Sequence, residues 1–194
     1  MTLLALIRHF PSEWNEDGRL QGRSDPPLAA GAPERARRIP PELDGFRWLT
    51  SPLRRAIETA RRLGIEAAEI EPRLTEMSWG AWEGSRLAEL RVRLGTEMAR
   101  AEAAGLDFRP PGGESPRDVQ LRIMPLLAEI ARSGAPTAAV THKGVIRAVA
   151  ALAAGWDMRR KPPWKLRWDA AHLFRLDRAG APVIERLNLS LVAA

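Results

Sequence analysis

Leu3–Ile7 is an unbroken apolar run of strand length, the pattern of a central parallel strand buried on both faces. A polar loop, Phe10 to Pro27, follows it. Gly31 to Ile39 reads as a short basic helix stopped by Pro40-Pro41, and Phe46–Thr50 as a second strand. Ser51-Pro52 then predicts a helix start, with serine as cap, proline in the first turn and a stop at Gly64. Ile65–Ile70 reads as a short strand, Glu76 to Gly84 as a loop holding two tryptophans, and Ser85 to Ala104 as one long charged helix. After the break Pro110-Pro111-Gly112-Gly113, the run Ser115-Pro116-Arg117-Asp118 resembles a capping box opening a helix to about Arg132, with a kink at Pro125. Thr137–Thr141 is a third apolar strand, followed by a helix from about Gly144 to Ala154. Ala171–Leu176 and Val183–Leu187 read as two strands joined at Ala179-Gly180. Strands alternating with helices argue for layered α/β architecture around a mostly parallel sheet.

Ligands in such sheets sit beyond the carboxyl ends of the strands, where Arg8-His9, Ser51 to Arg55 and Thr141-His142 all fall. A strand-end imidazole can attack phosphorus, and arginines supply bidentate charge to a phosphoryl group. Thr141-His142 enters a helix whose first N–H groups favour an anion. Arg54 and Arg55 lie ~100° apart around their helix, so only one is expected to face the crevice, the other pairing with Glu58. A general acid must protonate the leaving oxygen, and Glu76 and Glu83 lie in the water-excluding loop EMSWGAWEG. Each segment alone also has a plainer reading, as a capping or surface histidine or an aromatic cluster stapling a loop.

Composition narrows the chemistry. The 194 residues include no cysteine and no tyrosine, which removes disulfides, thiolate metal sites and cysteine or tyrosine nucleophiles. Three histidines, His9, His142 and His172, must carry any imidazole chemistry, and they lack metal-site spacing. His172 reads as structural. The net charge is +6, and 27 of the 30 basic residues are arginine, a bias suited to phosphate. No apolar run reaches the ~18 residues of a membrane span, and the N-terminus lacks a signal peptide pattern, so a cytoplasmic protein is expected.

LIRHFPSEWNEDGRLQGRSDPPL, SPLRRAIETA, EMSWGAWEG, PPGGES and VTHKGVIRAV, in this order, resemble the motifs of the histidine phosphatase superfamily, in its phosphoglycerate mutase-like branch. The likeness runs from about Leu4 to Ala150. It implies a three-layer α/β/α fold with a mostly parallel central sheet, phosphoglycerate mutase-like, in one domain with a lid-like helical insertion at about 77–113. It implies that His9 is the phosphorylated nucleophile, that Arg8, Arg55 and His142 form the phosphate pocket, and that Glu76 is the proton donor. Arg55 is preferred over Arg54 because the family's arginine directly precedes the alanine of RAxxTA. Glu83 fills the position of a second, supporting acid, and Asn15 and Gln21 are implied to contact phosphate or substrate. The implied activity is metal-independent phosphomonoester hydrolysis of a small phosphorylated metabolite, without a cofactor.

Two positions depart from the family pattern. Phe10 and Lys143 stand where glycine usually follows each histidine. Lys143 is read either as a solvated lysine without a role or as a candidate contact to a second anionic group on the substrate. The short chain favours a phosphatase over a mutase, which usually carries an insertion and a tail. Two other readings compete. The run Met158 to Trp168 interleaves five basic residues with tryptophan, as a nucleic-acid stacking groove does, although its tryptophans could instead turn into the core. A catalytically silent relative that binds a phospholigand is the other. Nucleic acid and membrane are not the expected partners, and the sequence does not define an oligomeric state.

Overall fold

A computed structural model describes residues 1–31 and 37–193. In chain order the elements are β1 (Thr2–Arg8), α1 (Glu13–Glu16), β2 (Arg37–Arg38), β3 (Arg47–Thr50), α2 (Arg54–Arg62), β4 (Glu69–Ile70) and α3 (Leu87–Leu94). Then come α4 (Thr96–Ala103), α5 (Pro116–Ser133), β5 (Thr137–Thr141), α6 (Lys143–Ala154), β6 (Ala170–Leu176), β7 (Pro182–Ser190) and β8 (Val192–Ala193). Six strands form one sheet in the order β4-β3-β5-β1-β6-β7. Its first four strands are parallel, and β6 runs against both β1 and β7.

β1 shows how the layers arise. Side chains alternate across a strand. Leu4 and Leu6 join one buried cluster with Val119 and Ile123 of α5 and Ile146 and Val149 of α6. Ala5 and Ile7 join another with Ala56 and Ala60 of α2. The sheet is therefore covered on both faces, the three-layer arrangement expected. Each buried Leu or Ile contributes ~1.5–3 kcal/mol.

Several local expectations hold in detail. The capping box of α5 forms, with Asp118 N donating to Ser115 Oγ at 3.1 Å and Ser115 N donating to Asp118 Oδ2 at 2.7 Å. The helix continues through Pro125 and ends at Gly134. Others are corrected. Leu53, not Ser51, takes the N-cap position of α2, without a side-chain capping bond. The long helix Ser85–Ala104 is two helices, because Gly95 adopts φ +47°, outside the helical region. Of Ile65–Ile70 only Glu69–Ile70 pairs, against β3. The loop Phe10–Pro27 contains α1, started by a capping box between Ser12 and Asn15. Most of the helix expected at Gly31–Ile39 lies outside the described residues, and Arg37–Arg38 at its end form a strand against β8.

Candidate active site

Three strand ends deliver the site. His9 N donates to Thr141 O at 2.9 Å and Ser51 N to Val140 O at 3.0 Å, which ties the ends of β1, β3 and β5 together. The His9 and His142 rings stand 5.1 Å apart, centroid to centroid. His9 is 4% exposed, and Arg55 and His142 are fully buried.

The backbone sets the state of His9. Its Nδ1 lies 2.6 Å from the Phe10 carbonyl, an acceptor, so Nδ1 carries the hydrogen and Nε2 keeps the lone pair. Burial, and then the charges of Arg8 and Arg55, push the His9 pKa well below its ordinary value. Phe10 fits this arrangement at an ordinary negative φ. Its N–H donates to Thr59 Oγ1 at 2.9 Å, and its ring packs into the α2-side cluster. The position usually held by glycine thus takes a large side chain by directing it away from the crevice.

His142 is also held neutral, its pKa lowered well below the ordinary value by burial and then by His9, Arg55 and Arg8. Its Nε2 lies 2.7 Å from Ser51 Oγ, and its buried Nδ1 has no protein partner. Ser51 Oγ also accepts from Leu53 N at 3.3 Å, which leaves the hydroxyl proton free for Nε2. In that tautomer Nδ1 is a donor available to an anion. Ser51, expected as a helix cap, instead serves this histidine.

Arg55 faces inward and Arg54 forms an i,i+4 ion pair with Glu58 at the surface. Arg55 Nη1 donates to Ser24 O at 2.8 Å and to Asp25 Oδ1 at 3.1 Å, and Nη2 donates to Gly22 O at 2.8 Å. This holds the first loop beside the site. Nε, buried without a partner, and one Nη2 hydrogen remain for a ligand.

Glu76 is 9% exposed. Its Oε1 accepts from Met77 N at 2.8 Å, and the carboxylate accepts from Gly144 N at 3.0 and 3.2 Å. A Cβ at residue 144 would collide with Glu76 Oε1, so glycine there is what lets the carboxylate reach the start of α6. Thr141 Oγ1 donates to Leu74 O at 2.7 Å, and Arg122 Nη2 donates to Thr75 O at 2.6 Å. β5 and α5 thereby position the segment that carries Glu76.

A cavity of about 490 Å³ opens onto His9, Arg55 and Glu76, with the fully buried His142 behind His9. Arg8, His9, Asn15, Gln21, Arg55 and Glu76 line its inner part, while Trp79, Leu87, Met98 and Phe108, with Lys143 and Arg147, line the rest. Asn15 Oδ1 is committed to Ser12 N at 3.1 Å, leaving its amide NH2 for a ligand, and the buried Gln21 Oε1 has no partner. Glu83 is not among the lining residues. It accepts from Arg23 N at 3.0 Å, Ser24 N at 2.8 Å, Ser24 Oγ at 2.6 Å and Trp79 N at 3.1 Å. Those bonds join the first loop to the tryptophan loop, so in this structure Glu83 braces the two loops beside the site.

Two residues escaped the sequence reading. Arg147 lines the cavity, and helical spacing from Lys143 would have found it. Arg122 pairs with Glu114 at 3.1 Å, but its bonds to the carbonyls of Arg73 and Thr75, which bring it to the Glu76 segment, reach residues distant in sequence and left no local signal. His172 is fully buried on β6, where Nδ1 accepts from Asn188 N at 3.3 Å, a structural placement. Trp164 and Trp168 pack against the α5/α6 core instead of opening a stacking groove. Among the described residues no helix is long and apolar enough to cross a membrane.

The model of the histidine phosphatase superfamily (branch 1) matches residues 4–190. The chain belongs to this superfamily. A histidine phosphatase superfamily member therefore carries the expected phosphomonoester hydrolase chemistry through a phosphohistidine. Among similar curated proteins is a 2,3-bisphosphoglycerate-dependent phosphoglycerate mutase of Methylobacterium radiotolerans, 30% identical over 99% of this chain and 92% of the relative. A glucosyl-3-phosphoglycerate phosphatase of Mycolicibacterium vanbaalenii is 32% identical over 82% of this chain and 77% of its own. A mycobacterial glucosyl-3-phosphoglycerate phosphatase solved with inorganic phosphate superposes with TM-score 0.79 at 25% identity, covering 100% of both chains.

Proposed function

We propose that this superfamily member hydrolyses a small phosphorylated metabolite with His9 as nucleophile and Glu76 as acid and base. The observation that carries the reading is the His9 tautomer: a neutral ring whose Nδ1–H is held by the Phe10 carbonyl presents an Nε2 lone pair beside Arg8, Arg55 and His142. In the first step Nε2 attacks phosphorus and the bond to the leaving oxygen breaks, with protonated Glu76 giving that oxygen its hydrogen. In the second, Glu76 takes a proton from water, the water oxygen attacks phosphorus, and the P–N bond breaks to release inorganic phosphate. Arg8 and Arg55 offset the charge on the phosphoryl oxygens, and His142 Nδ1–H donates to one of them. Asn15 NH2 and Gln21 would contact the phosphate from the first loop. The reading places the enzyme in the cytoplasm, since small phosphorylated metabolites are charged and do not cross membranes.

The same intermediate could pass its phosphoryl group to a second substrate hydroxyl, and the mutase among the relatives favours testing that. Labelled phosphate ester quenched in denaturant should leave base-stable, acid-labile label on His9. His9→Ala should lose the label and ~10⁴-fold or more of turnover. Full turnover in His9→Ala would overturn the mechanism. Chelator should leave the rate unchanged, because arginines supply the charge. Release of inorganic phosphate, against transfer between two positions of phosphoglycerate, separates hydrolase from mutase.

A further inference from the structure

Cations outnumber their partners along one wall of the cavity. Arg91 is paired with Glu102 at 2.7 Å, Arg19 with Asp17 at 3.2 Å and Arg55 with Asp25 at 3.1 Å. Lys143 and Arg147 also line the cavity, and among the described residues neither has a hydrogen-bond or ion-pair partner. They stand four residues apart on α6, so they share a face with Cβ atoms ~5–6 Å apart.

Both are nonetheless held. Lys143 Nζ lies 5.4 Å from the centroid of the Trp168 ring, and Arg147 Cζ lies 5.3 Å from that of Trp156. Trp156 is itself fixed by Nε1 donating to Arg160 O at 2.9 Å and by edge-on contact with Trp164. An aromatic face restrains a cation without neutralising it, so the charge stays available to an anion and little side-chain freedom remains to be lost. Burial and the nearby charges of Arg8 and Arg147 lower the Lys143 pKa, and the one nearby carboxylate that opposes them, Glu76, is held by the backbone N–H groups of Met77 and Gly144 and does not pair with it.

We propose that Lys143 and Arg147 form a second anion subsite, and that the substrate is a phosphomonoester whose leaving group carries its own carboxylate or phosphate. The transferred phosphoryl group uses Arg8, Arg55, His9 and His142. The second acid binds along α6, between the two tryptophan platforms. The guanidinium plane of Arg147 suits an oxyacid bidentately, and Lys143 adds a point charge. This inference rests on the phosphatase reading of the same cavity.

The test compares three esters on a three-carbon frame: glycerol 3-phosphate with a neutral tail, 3-phosphoglycerate with a carboxylate, and 1,3-propanediol bisphosphate with a second phosphate. The wild-type enzyme should prefer at least one anionic tail about tenfold in kcat/KM. That preference should collapse in Lys143→Gln/Arg147→Gln through a rise in KM, and Arg147→Lys should keep part of it. Calorimetric binding to His9→Ala, with and without the two substitutions, should show the same preference in Kd. An anionic-tail preference near one in the wild type, or one unchanged in the double variant, overturns the subsite. A Kd preference without turnover of any ester would uphold the subsite and sink the hydrolase reading. Turnover without preference would do the reverse.

Discussion

The two walls of the cavity are built in different ways. The inner wall is the sheet edge, where Arg55 and His142 are fully buried and each is anchored by hydrogen bonds that leave only ligand-facing atoms, such as Arg55 Nε and His142 Nδ1, unpaired. The outer wall, α3 and α4, rests on a small cluster of its own. Trp82, Leu90 and Met98 form that cluster, with Trp79 and Phe108 packed against it. Elsewhere the two helices are mostly exposed and laced by ion pairs such as Arg91 with Glu102. Groups that must hold an attacking nitrogen and a phosphoryl oxygen in register sit on the stiffest element. The outer helices face the cavity with few buried contacts of their own and can open locally at lower free energy, whereas Lys143 and Arg147 stay on the well-buried helix α6.

Glu76 lies at the seam, so it gives the hardest test of this contrast. Glu76→Gln keeps the shape and removes the proton, and should slow hydrolysis of an alkyl phosphate by ~10²–10⁴, with a smaller loss in the phosphorylation step for an aryl phosphate. Gly144→Ala removes no titratable group but displaces the carboxylate from Gly144 N, and should lower the same step. Equal losses for both leaving groups in rapid-quench measurements would take Glu76 out of that role.

Acid should strike the inner wall first. All three histidines lie on the sheet side, and α3 and α4 contain none. Burial pushes His172 down to about 4, so between pH 6.5 and 4 the unfolded chain binds a proton there that the folded chain does not. Its stabilising contribution is complete above the unfolded value and is lost as pH falls, by ~3 kcal/mol over that window. His9 and His142 shift in the same direction. Urea midpoints at pH 7 and pH 5 should differ markedly, and less so in His172→Leu. An unchanged difference would mean that His172 is not held neutral.

The smallest effect belongs to the outer wall. Leu90→Ala should lower the free energy of opening α3 and α4 by ~2 kcal/mol, seen as faster amide exchange there while β5 keeps its protection. Equal acceleration in β5 would show that both walls unfold as one unit.

The sequence was most legible where the signal is local. Continuous apolar runs marked β1, β3 and β5, Ser115 and Asp118 marked the start of α5, and the order of motifs placed the strand-end residues on one crevice. Apolar periodicity alone misjudged the stretch 85–104, because a single glycine at positive φ divides two helices that share one polar pattern.

What the chain determined by itself was the set of chemistry-bearing residues and their strand-end placement, since burial of a five-residue apolar run leaves the next polar residue at the sheet edge. Only the tertiary structure decided what each does there. Ser51 meets His142 across 91 residues of sequence, Glu83 is turned into a brace for the first loop, and Arg147 is brought from α6 into the same cavity as Glu76. Those outcomes depend on distances between segments far apart in the chain, and hydrogen bonds and ion pairs act only over a few ångströms that no spacing within one segment specifies.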